Sequence, residues 1–210
     1  MAGTTVRDGN QVPRAFAAAL AEIGVQITTT ELTNVRGSSK REAVCRFVPD
    51  TPDRDRVAAS AYSSFRDHLT RLYRVEGIQA IDGAEETFAS LRRRNVKVAL
   101  NTGFDREITD LLLTTLGWND AVIDAVVCGD EVSRGRPAPD LILQCIERTG
   151  VANLQAVMNV GDTVLDLRAG HAAGVRWNVG VLSGAHDRRQ LEQAPHTHLV
   201  DSIRDLTTLF

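Results

Sequence analysis

Apolar residues recur at helical spacing through roughly the first 80 positions and in short unbroken runs after them, a change of period that divides the chain. Between 13 and 23, Phe16, Leu20 and Ile23 fall on one helical face, and Pro13 suits a first turn. Thr28 to Thr30 introduce a short helical stretch ending near Gly37, and Ser38 or Ser39 caps another that contains Ala43, Val44 and Phe47. Pro49 and Pro52 break the pattern. A long amphipathic helix is predicted over 53–74, with Val57, Tyr62, Phe65, Leu69 and Tyr73 toward a common side. This block is strand-poor and reads as a helical unit inserted into something else.

The later pattern alternates. Helices are predicted over 85–94, 105–116, 139–149, 164–173 and 187–194, with strands over 96–100, within 122–128, and over 154–160, 176–179 and 198–200. Residues 203–210 close the chain. Strands separated by helices of this length imply βαβ units and a largely parallel sheet.

Right-handed βαβ connections bring all strand carboxyl ends to one edge, where ligands of open α/β sheets bind. Three loops with chemistry gather there. In the first, Thr102 offers a hydroxyl and Gly103 a close backbone approach, at the positive end of the following helix; for this loop alone a plain threonine cap is the favoured explanation. The loop 129–140 carries Arg134 and Arg136 around Gly135. Pro137 constrains Arg136, which makes it the better candidate to meet a phosphoryl group with paired donors, against the plain alternative of a solvated charge. In the third, an apolar run breaks at Gly161, Asp162 stands at the strand end, and Asp166 lies one turn into the next helix. Two such carboxylates suit a hard cation beside a phosphate, while capping by Asp162 or Thr163 is the ordinary explanation. Together the loops fit magnesium-assisted phosphoryl chemistry. At the start of the chain, Gly3, Thr4 and Thr5 form a turn able to present amides and hydroxyls to an anion.

Composition narrows the partners. The 210 residues carry a net charge of -3 and are 43% hydrophobic, enough for a real core. No basic run points to nucleic acid, no apolar stretch reaches about 18 residues as a membrane span needs, and a cytoplasmic protein is the expectation. Cys45, Cys128 and Cys145 are scattered and show neither a disulfide framework nor a zinc spacing. Of 24 basic residues, only Lys40 and Lys97 are lysines. That matters because only lysine has an amine able to lose its proton and attack a carbonyl.

The ordered set Asn101-Thr102-Gly103, Gly135-Arg136-Pro137-Ala138-Pro139 and Gly161-Asp162-Thr163-x-x-Asp166 resembles the haloacid dehalogenase (HAD) superfamily of hydrolases. Segments 1–6 and 180–187 resemble its phosphonoacetaldehyde hydrolase (phosphonatase)-like branch. The resemblance spans essentially the whole chain. It implies an α/β fold whose Rossmann-like parallel-sheet core takes residues 1–11 and 81–210, with a helical cap inserted at 12–80. It implies Mg2+ held by Asp162, Asp166 and the backbone carbonyl of Ala2. Thr102 and Arg136 would hold the transferring phosphoryl group, with Gly103, Thr4 and Arg36 also binding substrate, a small phosphonate or phosphate ester. A homodimer through the cap is implied too, with His68 able to face the partner.

On the same resemblance, the nucleophilic aspartate stands immediately before the position matched by Met1, at the end of the first core strand. The expectation is therefore an N-terminally truncated chain that lacks this strand and has little phosphoryl-transfer activity of its own; Asp8 cannot substitute without remaking the turn. Ala2 occupies the place where phosphatases of the superfamily carry an acid that protonates the leaving group, and a methyl group cannot do so. The phosphonatase branch instead activates its substrate as an imine with a cap lysine. Arg36-Gly37-Ser38-Ser39-Lys40 matches that branch's Gly-x-x-Lys pattern, so Lys40 is the candidate, although Arg36 and Ala43 replace an expected methionine and histidine. Lys40 serving only to bind phosphate, or to begin a helix in water, is the plainer explanation.

The leading expectation is a magnesium-dependent hydrolase cleaving the C–P bond of a small phosphonate such as phosphonoacetaldehyde through an aspartyl phosphate. A phosphatase of a small phosphorylated metabolite and a non-catalytic phosphate-binding or regulatory protein are the alternatives. His196 and His198 are expected at the surface or sheet edge rather than on a metal, and Trp118 and Trp177 in core or domain contacts.

Overall fold

The computed structural model describes residues 1–209; Phe210, the end of the expected closing segment, lies outside them. Four helices build the first block: α1 (Gln11–Glu22), α2 (Thr29–Asn34), α3 (Lys40–Phe47) and α4 (Arg54–Glu76). α1 lies along α4, and α3 packs on both. Phe16 meets the rings of Phe65 and Phe47 edge-on at 5.8 and 6.0 Å, so one aromatic centre joins three helices. Of the predicted α4 face, Phe65, Leu69 and Tyr73 are buried, while Val57 and Tyr62 are only half-buried and Ala58 and Ala61 are buried beside them. α4 ends at Gly77, whose φ of 85° a side chain would strain.

The remainder alternates: α5 (Ala84–Arg93), β1 (Ala99–Asn101), α6 (Arg106–Leu116), β2 (Ala125–Val127), α7 (Asp140–Thr149), β3 (Met158–Gly161), α8 (Val164–Ala172), β4 (Trp177–Val181), α9 (Arg188–Leu191) and β5 (His198–Val200). The pairings among these strands are parallel, as expected, but they form two sheets, β1–β2 and β3–β4–β5, rather than one. Between the two sheets side chains replace a backbone ladder: Leu100, Met158 and Val160 belong to one apolar cluster with Phe16, Phe88 and Leu112. Residues 1–6 curl tightly at this junction. The amides of Thr4, Thr5 and Val6 all donate to the Met1 carbonyl, and the Met1 amine donates to Asn101 O at 3.4 Å.

Three predicted boundaries move for local reasons. β1 begins at Ala99 rather than 96 because the Val98 amide donates to the Asp124 carboxylate, which also holds Arg92 and Lys97. β3 begins at Met158 because Asn153 accepts from the Gln155 amide and winds Leu154–Ala156 into a 3-10 turn. Asp187 lies outside α9 as its N-cap.

The helical block is tied to the rest at Asp105. This buried side chain caps α6 by accepting from the Ile108 amide at 3.1 Å and also accepts from the Tyr62 hydroxyl of α4 at 2.8 Å. Asp105→Ala removes both bonds and is expected to cost about 1–2 kcal/mol in urea unfolding. Arg7→Ala, which opens an exposed pair with Asp82, is expected to stay within about 0.5 kcal/mol. No described helix is long and apolar enough to cross a membrane.

Candidate active site

The strand carboxyl ends converge on one edge. Thr102 follows β1, Arg136 lies after β2, Asp162 follows β3 and Ala185 lies after β4. All four line a cavity of about 80 Å3. The helical block supplies its other wall, with Lys40 and Arg36 beside Phe16, Leu32 and Val35. Ala2, Asp8, Gly103 and Asp166 also reach it.

Asp162 is 5% exposed. Its Oδ1 accepts from the Thr4 hydroxyl and its Oδ2 from the Ala185 amide, each at 2.8 Å. A Cβ on Gly3 would stand 2.1 Å from Oδ2 and one on Gly184 2.2 Å, so both glycines exist to admit this carboxylate. Burial raises the Asp162 pKa, and the nearby charge of Asp166 raises it further. That repulsion is what a bound cation would relieve. The donors available are all oxygen: Asp162, Asp166 and the Ala2 carbonyl, which accepts no hydrogen bond among the described residues. Such a set fits a small hard cation that takes its remaining ligands from water and phosphate.

Asp166 also caps its own helix. Its Oδ2 accepts from the Thr163 amide at 3.0 Å, and Thr163 Oγ1 accepts in turn from the Asp166 amide. The capping alternative thus belongs to Thr163 and Asp166, leaving Asp162 free of it. The other oxygen of Asp166 meets Arg136 Nε at 2.9 Å.

Arg136 is 8% exposed, which excludes a solvated loop charge. Besides Asp166 it donates to the Gly37 carbonyl at 3.0 Å and to Asn101 Oδ1. One guanidinium therefore joins the helical block to two strand ends. Nothing in sequence spacing marks Asn101 or the Gly37 carbonyl as its partners. Arg134, by contrast, pairs with Asp140 at the surface.

Thr102 is buried, and its hydroxyl accepts from the Phe104 amide at 3.2 Å. It does not cap α6, a role taken by Asp105. Gly103 lies against the turn before α3: its carbonyl accepts from the Lys40 amide at 2.9 Å, and a Cβ would stand 2.4 Å from Ser38 O. Gly37 is matched to the same closure, with φ of 86° and a virtual Cβ 2.4 Å from Thr163 Oγ1.

The two lysines differ sharply. Lys97 is surface-exposed and pairs with Asp124. Lys40 lies over the Phe104 ring with Nζ 5.5 Å from its centroid, and donates to Ser38 O at 3.3 Å. Burial and the Arg136 charge push its amine down to about 8. Arg36 faces Asp8 at 3.6 Å. His186, to which spacing assigns no role, is buried and accepts from the Val164 amide at 3.0 Å through Nδ1, while its own amide donates to Asp162 O. Burial holds its pKa below the usual histidine value. His196 bonds the Ala194 carbonyl and His198 lies tilted on Trp177, so this pair serves the sheet edge. Trp118 packs on Phe88 and donates to Glu85. His68 bonds Glu22 within the helical block.

A parallel α/β fold with these carboxylates, an arginine and a hydroxyl at its strand ends defines a class. Residues 3–179 match the haloacid dehalogenase-like hydrolases, and the chain belongs to that family of enzymes. Among its relatives, the phosphonoacetaldehyde hydrolase of Hahella chejuensis is 33% identical over 199 residues, covering 89% of this chain and 67% of the relative. That of Bacillus cereus strain AH187 is 32% identical over 209 residues, covering 93% and 78%. The crystal structure of a phosphonoacetaldehyde hydrolase like protein from Oleispira antarctica superposes with a TM-score of 0.86 at 25% identity, covering 99% of this chain and 88% of that one.

Proposed function

We propose that the chain binds and activates a small phosphonate such as phosphonoacetaldehyde for magnesium-dependent hydrolysis of its C–P bond. The observation that carries this reading is the Lys40 amine, pushed down to about 8, in the same small cavity as Arg136, Thr102 and Asp162. The relatives named phosphonoacetaldehyde hydrolase support the choice of substrate. Residues 12–80 act as the cap over a core of 1–11 and 81–210.

Each residue then has a task. Arg136 and Thr102 hold the phosphonyl oxygens by charge and hydrogen bond, Gly103 lets the cap approach, and Thr4 orients Asp162. Asp162, Asp166 and the Ala2 carbonyl would hold magnesium, which when bound offsets charge on the transferring group. Free Lys40 Nζ adds to the substrate carbonyl carbon, water leaves, and the imine takes up one proton from solvent. When the C–P bond breaks, its electron pair moves into that imine to give an enamine and the phosphoryl group passes in the end to water as phosphate; protonation and hydrolysis of the enamine release the aldehyde and free Lys40. Ala2, with no proton to give, suits a carbon leaving group better than an alkoxide.

Reductive trapping tests this reading, and it depends on residues 1–209 alone. With phosphonoacetaldehyde and borohydride, the intact mass of the protein is expected to rise by one reduced adduct. No adduct, together with phosphate release from phosphate esters, overturns the imine reading in favour of a phosphatase.

A further inference from the structure

Two arginines line the cavity and differ in what they hold. Arg136 is committed to Asp166, Gly37 O and Asn101. The Arg36 guanidinium has Asp8 Oδ2 as its partner, at 3.6 Å, too long for a hydrogen bond. The side chains of Arg36 and Asp8 are 29% and 22% exposed, so the pair stands at the edge of the cavity, partly open to water and without a close bond. A guanidinium so placed keeps N–H groups whose hydrogen bonds an entering anion can complete.

Its position says what would do so. Arg36 stands in the turn between α2 and α3, in the helical block, beside the apolar Leu32 and Val35. The phosphoryl-holding groups Arg136 and Thr102 come from the sheet edge instead. Lys40, the amine assigned to the carbonyl, follows Arg36 by one turn of chain. A substrate gripped at its phosphonyl end by the sheet therefore turns its carbon chain toward Arg36. The planar fork of a guanidinium matches a carboxylate, which it meets with two parallel bonds. Asp8 already shows a carboxylate beside those donors, and the five N–H groups of arginine can serve two.

We propose that Arg36 is a specificity residue that binds a carboxylate on the carbon chain of the substrate, with Asp8 holding the guanidinium in place. Among small carbonyl phosphonates the site then favours those that also carry a carboxylate. This rests on the reading of the cavity as a phosphonate site.

Calorimetric titration with Mg2+ present tests it, using 3-phosphonopropionate and propylphosphonate, which share the phosphonyl head and differ in the carboxylate. The carboxylated ligand is expected to bind about tenfold tighter or more, the yield of one charge-assisted contact. In Arg36→Met the two affinities are expected to converge to within about twofold, and Arg36→Lys to regain part of the difference. A thermal melt of each variant verifies its fold. Equal binding by the unaltered protein, or a preference that survives Arg36→Met, overturns the assignment of Arg36 alone. Failure of propylphosphonate to bind at all overturns the phosphonate reading together with it.

Discussion

Arg136→Met is expected to weaken methylphosphonate binding by roughly a hundredfold, because two charge-assisted contacts of about 1.5 kcal/mol each go with the guanidinium. The loss extends beyond the ligand. Arg136 Nε lies 2.9 Å from Asp166 Oδ1, with side-chain exposures of only 7% and 13%. Removing the cation leaves a buried carboxylate uncompensated, beside an Asp162 that burial and repulsion already drive toward protonation. Breaking a pair of this kind costs about 3–5 kcal/mol. The same substitution deletes the donor to Gly37 O, a tie between the helical block and the sheet edge. Urea unfolding and calorimetry on the same variant check both effects. Binding within about twofold of the unaltered protein contradicts the placement of phosphonate on Arg136.

Asp162→Asn is expected to behave in the opposite way. The carboxylate is buried beside Asp166, and their repulsion raises its pKa, so the neutral amide removes an unfavourable charge. One amide oxygen still accepts from Thr4 or Ala185, while its NH2 faces the other donor. These effects are similar in size and opposite in sign, so metal-free stability is expected to change by no more than about 1 kcal/mol. The response to Mg2+ is the larger effect. At about 100 times its dissociation constant a ligand adds about 2.7 kcal/mol, several degrees in Tm for a chain of this length. That shift is expected in the unaltered protein and absent in Asp162→Asn. An undiminished shift in the variant places the cation elsewhere.

The helix pattern was legible wherever apolar spacing was strong: the Phe65–Leu69–Tyr73 face and the parallel pairings follow from period alone. The sheet was less so. Val96 and Lys97 read as strand, but the competing acceptor that ends the ladder, Asp124, lies far along the chain. At the site, Asp162, Asp166, Arg136 and Thr102 were recognisable by residue type and order, and the fold brings them to one cavity. Their supports were not: the Gly37 carbonyl and Ala185 amide are backbone groups that every residue carries. His186 escaped for a related reason, since its role is to satisfy the Val164 amide at a helix start.

The central claim is that Lys40 is the reactive amine, and peptide mapping of the borohydride-reduced adduct across pH tests it most directly. The candidate amines are Lys40, Lys97 and the Met1 terminus. With a pKa of about 8, about a tenth of Lys40 is free amine at pH 7, against well under a thousandth of an ordinary lysine. The free fraction grows as pH rises, so the account predicts an adduct on Lys40 whose formation rate climbs through pH 8 and then levels. An adduct on Lys97 or Met1, or a Lys40 rate still climbing at about pH 10 as for an unperturbed lysine, contradicts it.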